Sequence, residues 1–230
     1  MTEVLSKIQN WCRRLEKIFV PAVADVLDVL GHRHQCLRAG FWPLISNSTV
    51  AGPAFTVREV AAPTLEFRST DEKLHIFSEF FGELGQNQVV LVDTNGCYDA
   101  AAWGELMSTI TKFTCGAKAA VVDGAIRDVS RISKIDFPVW YVNRIPADSE
   151  GRLQLLDFNK PMVCGGVHVH PGDLVFADPD GIVVLPMDGR IDVEEVISQA
   201  EEFVELEDKT RADLRQGMPV VDVFNKYGRL

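Results

Sequence analysis

Val121-Val122-Asp123-Gly124-Ala125-Ile126-Arg127-Asp128 is the stretch on which the reading of this chain turns. With Ala119 and Ala120 in front of it, Ala119 to Val122 is a short, continuous apolar run, as a strand covered on both faces would be. Asp123 to Arg127 then reads as a turn, and Asp128 to Ile135 as a helix. Upstream, Gln88 to Asp93 (QVVLVD) is a second such run. Between them, Ala101 to Phe113 reads as a helix, with Trp103, Leu106, Ile110 and Phe113 forming an apolar stripe. Downstream, Pro138 to Val142 is a third strand. This β-α-β-α-β order implies a parallel sheet with right-handed crossovers.

Further out, the patterns change at both ends. Residues from about Val4 to Leu30 are helical in spacing, with Pro21 in the first turn of a second helix, Ala22 to Leu30, which Gly31 ends. Thr49 to Val57 is β-like, with a turn or bulge at Gly52-Pro53. Val163 to Val169 and Leu174 to Leu185 read as strands joined by His170-Pro171-Gly172-Asp173. A second turn, Asp178-Pro179-Asp180-Gly181, sits within the latter run. Asp192 to Gln216 is a charged helix closed by Gly217, followed by a short tail, Val220 to Leu230. The expectation is one α/β domain over residues 1–230, with N-terminal helices in 1–48, a parallel central portion, a β-rich second half, and a C-terminal helix and tail in 190–230.

The chain has 230 residues, 47% of them hydrophobic, enough for a sizeable core. Its formal net charge of −10 argues against a nucleic-acid binder, which would show a basic face. No apolar run approaches the roughly 18 residues that a membrane span needs, and no signal-like segment follows Met1, so the expected location is cytoplasmic. The five cysteines, Cys12, Cys36, Cys97, Cys115 and Cys164, show no CxxC spacing and read as reduced packing thiols.

In open α/β sheets, ligands collect beyond the carboxyl ends of parallel strands. The loop Asp93 to Trp103, leading to Gly104-Glu105-Leu106-Met107, and the loop Asp123 to Arg127 open on the same rim if their strands are neighbours. Gly104 lets backbone approach a ligand, and free amides near a helix start can bind a carboxylate. Arg127 offers a planar donor fork that matches a carboxylate or 2-keto acid. Asp128 is a hard oxygen ligand suited to Mg²⁺ or Mn²⁺, and Glu105 can hold water beside such an ion. The bland alternative is that Arg127 and Asp128 only cap the helix they begin.

The strings GAKAAVVDGAIRD, AAWGELM and GGVHVHPGDLVFADPDGIVVLP, together with VAGPAFTV at Val50 to Val57, resemble the RraA-like family. That family includes ribonuclease E activity regulators and metal-dependent 4-hydroxy-4-methyl-2-oxoglutarate aldolases. The resemblance implies a swivelling β/β/α-type domain, assembled as a trimer or a hexamer with its site between subunits. It implies that Gly104, Glu105, Leu106 and Met107 present backbone amides to pyruvate, that Arg127 binds its oxygens, and that Asp128 ligates the metal. Glu105 would hold water at the metal, and Glu207 of a neighbouring subunit's C-terminal helix, with Glu205 as the fallback, would complete the site. Two departures stand out. Arg131 occupies a position where the family's aldolases usually carry an acid, and the separation from Gly104 to Arg127 is about one residue longer than the resemblance implies, placing an insertion before Ala119.

The implied chemistry is a class II retro-aldol cleavage of a 4-hydroxy-2-keto acid to pyruvate, with oxaloacetate decarboxylation as a companion activity. Its competitor is a non-catalytic regulator of ribonuclease activity whose acidic surface engages a basic partner. A methyltransferase lacks the needed glycine-rich loop after the first strand. His168 and His170 alternate on a strand as a possible metal pair but lack a third ligand. His32 and His34 read as solvated loop residues, and Glu201, Glu202, Glu205, Glu207 and Asp208 as mostly an exposed helix face. Arg68 and Lys73 fall in a polar loop that could reach a substrate's distal carboxylate.

Overall fold

The computed structural model describes residues 2–63 and 69–228. In chain order the elements are helices α1 (Thr2–Leu15) and α2 (Val20–Val29), strands β1 (Trp42–Pro43) and β2 (Val50–Ala61), helix α3 (Thr70–Glu83), and strands β3 (Val89–Asp93) and β4 (Ala101–Trp103). Next come α4 (Glu105–Thr109) with a π-helical turn at Ile110–Thr114, β5 (Ala119–Ile126), α5 (Val129–Lys134) and β6 (Val139–Arg144). The second half holds β7 (Leu153–Phe158), β8 (Met162–Cys164), β9 (Val167–Val169), β10 (Leu174–Ala177) and β11 (Ile182–Leu185), then α6 (Val193–Arg215) and α7 (Val220–Tyr227).

The main sheet runs β1-β6-β5-β3-β2-β10-β11, with β4 paired to β5 and β7 to β2. Its centre is parallel as expected: β2 lies beside β3, β3 beside β5, and β5 beside β6. Every residue of β5 is buried, which is why its first four, Ala119 to Val122, read as an unbroken apolar run without alternation. β2 belongs to both halves of the sheet, because its first residues pair antiparallel with β10 and its later ones parallel with β3. One face of the parallel strands packs with Cys164, Val167 and Val169 of the small β8–β9 hairpin. The opposite face packs Phe55, Val90, Val92 and Val122 against Phe80, Trp103, Ile132 and Phe137. A third cluster joins α1, α2 and α6 to β10 and β11.

Several turns are built as their residue types require. Asp178 accepts amides from Val20 at 2.8 Å, Asp180 at 2.8 Å and Gly181 at 3.2 Å, so the Asp-Pro-Asp-Gly turn also anchors the start of α2. Asp173 likewise accepts the amides of His170 at 2.7 Å and Met187 at 2.9 Å. Asp192 caps α6 by accepting the amides of Glu194 and Glu195.

Some sequence expectations are corrected. The first helical stretch breaks after Leu15, ahead of Pro21, and α2 starts at Val20. Ala101–Trp103 is a strand, because it pairs parallel with the far end of β5, so the apolar stripe from Trp103 to Phe113 does not form. Leu106 and Phe113 are instead 73% and 66% exposed. The segment before Ala119 contains a π turn at Ile110–Thr114, with Cys115 N–H donating to Ile110 C=O at 3.1 Å in the wider i→i+5 spacing. β5 continues through Asp123 to Ile126, which the sequence reading assigns to a turn. Val163 to Val169 divides into β8 and β9 around Gly165-Gly166. α3, β7 and α7 have no counterpart in that reading. The role expected of Arg68 and Lys73 lies outside the described residues and side chains, and the Lys73 backbone belongs to α3 rather than to a loop.

Candidate active site

The extension of β5 divides the stretch Asp123 to Asp128 between two places. Asp123 is in register with Asp93 of β3 and is 6% exposed. Its carboxylate forms an ion pair with Arg38 and accepts the Gly165 amide at 2.9 Å. Arg38 also donates to Tyr98 Oη at 2.8 Å. This group ties the N-terminal segment, β5 and the β8–β9 hairpin together. Beside it, burial raises the Asp93 carboxyl above its ordinary range, with the Asp123 charge adding to the effect. Gly124 is required here by close approach, since a Cβ would lie 2.5 Å from Thr94 Cγ2.

Arg127 and Asp128 lie past the strand end. Arg127 N–H donates to Trp103 C=O at 2.9 Å, which fastens the end of β5 to the end of β4. That bond brings Gly104 against the Arg-Asp pair, and a Cβ on Gly104 would sit 3.1 Å from Asp128 Oδ2 and 3.4 Å from Arg127 Cγ. Glu105 N–H faces Asp128 Oδ2 at 3.4 Å. Gly104, Glu105, Leu106, Met107, Arg127 and Asp128 are therefore brought together on one rim. The Leu106 side chain is exposed, so what this residue offers inward is backbone. Glu105 Oε1 accepts from Thr109 Oγ1 at 2.7 Å, which holds its carboxylate along α4.

Asp128 occupies the position before α5 but does not cap it. Its φ and ψ of 58° and 28° are left-handed, and its side chain makes no capping bond. A non-glycine residue in that region carries strain, which is tolerated best by Asp and Asn. The left-handed turn points the carboxylate back to Glu105 and to Arg127 Nε, 3.6 Å away. The capping alternative for this residue is thereby set aside.

Asp148, which the sequence reading does not single out, completes the rim. Its Oδ1 lies 3.2 Å from Arg127 Nη1. Partial burial works against its charge, yet Arg127 and the amides of Glu150 and Ser149 bring the carboxyl below its usual range. The available signal is its place in the loop after the third parallel strand, on the same rim as the other two loops.

Other candidates are not joined to this group within one chain. Glu207 lies on α6, 3.8 Å from Arg211 Nη2, and Glu205 is exposed on the same helix. That helix packs on α1 and α2, whereas the rim lies over α4 and α5. Arg131 is exposed, and its backbone N–H donates to Asp128 C=O at 2.8 Å. His168 is exposed on β9, while His170 Nδ1 lies 3.6 Å from Asp173 Oδ2.

Among the described residues, no group of three or more His, Cys, Asp or Glu side chains could hold a metal ion. The carboxylates that a single chain brings to this rim are Asp128 and Asp148, on opposite sides of Arg127, with Glu105 beside Asp128. This fits a cation such as Mg²⁺, which keeps several of its waters, and does not fit an ion that demands three or four protein ligands. No helix among the described residues is long and apolar enough to cross a membrane.

The chain is similar in sequence and fold to known proteins. "Putative 4-hydroxy-4-methyl-2-oxoglutarate aldolase" of Halalkalibacterium halodurans is 30% identical over 71% of this chain and 70% of its own. Protein DlpA of Legionella pneumophila is 27% identical over 89% of this chain, but the match takes in only 32% of that longer protein. The crystal structure of Streptomyces coelicolor RraAS2, described as an unusual member of the RNase ES inhibitor RraA protein family, has a TM-score of 0.73 at 27% identity, covering 88% of this chain and 96% of that one. The model of the RraA-like family, described as Aldolase/RraA, matches residues 20–184, and the chain belongs to that family.

Proposed function

We propose that this protein is a divalent-metal-dependent carbon–carbon lyase that cleaves a 4-hydroxy-2-keto acid, such as 4-hydroxy-4-methyl-2-oxoglutarate, to release pyruvate, and that it decarboxylates oxaloacetate as a side activity. The observation that carries this reading is the left-handed Asp128, whose carboxylate faces the Glu105 amide beside Arg127 instead of capping α5. A residue strained into place and withheld from its helix is suited to holding something else.

In this reading Asp128 holds Mg²⁺ or Mn²⁺, which when bound supplies Lewis-acid stabilisation of negative charge at the keto oxygen. Arg127 binds the carboxylate and keto oxygens of the substrate head through its donor fork. Its fixed positive charge favours the oxyanion that develops as the C–C bond breaks. The amides of Leu106 and Met107, in the first turn of α4, have no intrahelical acceptor and are free to orient the substrate carboxylate. Glu105, held by Thr109, accepts the proton leaving the C4 hydroxyl, directly or through one water, and its return to C3 completes the released pyruvate. Glu207 of a neighbouring subunit joins the site in a trimer or hexamer, an assembly that would also cover the exposed Leu106 and Phe113.

The second reading is a non-catalytic regulator of ribonuclease activity. The exposed Arg131 favours it, since a basic residue stands there in place of the expected acid. Pyruvate release from oxaloacetate and from 4-hydroxy-4-methyl-2-oxoglutarate, followed with Mg²⁺ present, separates the two. The lyase reading expects turnover by wild type and losses of at least about 100-fold in Arg127→Ala and Asp128→Ala. Equal silence of all three proteins on both substrates would overturn it.

A further inference from the structure

The loop after β6 forms a bracket around Arg127. Ile145 N–H donates to Ile126 C=O at 3.1 Å, fastening the loop to the residue immediately before Arg127. Ala147 C=O accepts from Ala101 N–H at 2.9 Å, and Ala101 and Asp148 form an isolated parallel bridge, fastening the same loop to β4. Asp148 follows directly on these anchors, with Oδ1 3.2 Å from Arg127 Nη1. Ser149 Oγ lies 3.4 Å from the same carboxylate oxygen, and Arg152 Nη1 donates to the Asp148 C=O at 3.2 Å. Both the side chain and the backbone of Asp148 are thus preset, which a chance surface pair does not require.

The guanidinium is consequently held on two edges by two elements. Nε faces Asp128 from the start of α5, and Nη1 faces Asp148 from the β6 loop. We infer that Asp148 is a positioning residue that orients the Arg127 guanidinium so that its remaining edge meets the carboxylate of a 2-keto acid. This rests on the reading above, in which Arg127 binds that head group. An arginine left on its flexible stem must be ordered when ligand arrives, and one already pinned loses less freedom on binding. Asp148 does not touch the reacting atoms and acts through Arg127. The competing role for the same pair is a block, in which Asp148 occupies the guanidinium and the substrate must displace it. The two roles have opposite signs.

The experiment uses the full-length chain with Mg²⁺, pyruvate as the calorimetric probe, and oxaloacetate as the kinetic one. For Asp148→Ala, pyruvate affinity and kcat/KM should each fall by about tenfold, the scale expected when a binding group is misplaced. Asp148→Asn, which keeps an acceptor facing Nη1, should recover part of both and serves if the alanine variant fails to fold. In an Arg127→Ala background, Asp148→Ala should have no further effect on pyruvate binding, because the two residues act as one unit. Unchanged or tighter binding by the Asp148 variants, with wild-type binding intact, overturns the inference and leaves the lyase reading standing. So does a full additional loss in the Arg127→Ala background. If wild type neither binds pyruvate nor turns over oxaloacetate, the lyase reading fails and the inference falls with it.

Discussion

Asp128 Oδ2 lies 3.4 Å from the Glu105 amide, although Asp128 stands at the head of α5 and could have capped it. Conformation and chemistry can be separated at this position. Asp128→Gly removes the carboxylate and suits the left-handed backbone, while Asp128→Ala removes the same carboxylate and keeps a Cβ that the backbone resists. Thermal unfolding should find the glycine variant more stable than the alanine variant by about 1 kcal/mol. Both should lose pyruvate release alike. Equal stability of the two would mean that the left-handed conformation is not kept in solution.

Gly104 is the complementary test, because its φ of −153° is extended and open to any residue. Alanine there meets no backbone penalty, only the Asp128 and Arg127 side chains at 3.1 and 3.4 Å. Gly104→Ala should therefore change stability by less than about 1 kcal/mol. It should lower kcat/KM for oxaloacetate by roughly 10- to 100-fold, because small displacements of binding groups are costly. A variant with normal kinetics would show that the close contact between the two loops has no bearing on activity.

Much of this architecture is legible in the residues. The buried runs at β3 and β5 announce parallel strands because both faces of each are covered, and the neighbouring rim loops follow from that. Gly104 to Met107 and Arg127-Asp128 are expected on one rim on condition that their strands are neighbours, and β3 does pair with β5. What escaped has physical causes. Ala101–Trp103 has the apolar composition of a helix start, and only its pairing with Ala125 and Ile126 makes it a strand. α3 carries a capping box between Ser69 and Glu72, a local signal for its start that its weakly periodic apolar residues do not reinforce. Asp148 reaches Arg127 only because the β6 loop is tied to both Ile126 and Ala101, and no local pattern encodes such a long-range tie. The destination of Asp123 was hidden for a similar reason, since Arg38 is 85 residues away.

Gly124 tests the seam between β3 and β5. A methyl group added there would lie 2.5 Å from Thr94 Cγ2 and 2.9 Å from Thr94 Oγ1. Thr94 cannot easily move, because its hydroxyl oxygen sits 2.8 Å from Asp123 C=O and 2.9 Å from Cys97 C=O, with its single proton shared between them. Gly124→Ala should destabilise by about 1–3 kcal/mol, the usual scale of overpacking. Thr94→Ser removes Cγ2 and keeps the hydroxyl, so the double variant should recover part of that loss in denaturant unfolding. Additive losses would place the strain somewhere other than this contact.

The last prediction concerns how α1 is held to α6. Arg14 pairs with both Glu194 and Glu201, and Trp11 Nε1 donates to Glu194 Oε2 at 2.7 Å. Arg14 and then Trp11 draw the Glu194 carboxyl below its ordinary range. A carboxyl depressed in the folded state stabilises at pH values above its unfolded pKa, and that contribution disappears as pH falls through the folded value. Glu194→Gln should therefore melt below wild type at pH 7, with the gap closing as pH drops beneath about 4, near the unfolded glutamate pKa. Because Glu194 is 47% exposed, the neutral-pH gap should stay within the ~1 kcal/mol typical of solvent-exposed pairs. Moderate salt should narrow it further by screening the Arg14 charge. A gap that persists unchanged at low pH would assign the effect to the carboxamide's poorer fit to the Trp11 and Arg14 donors, and not to the charge of the carboxylate.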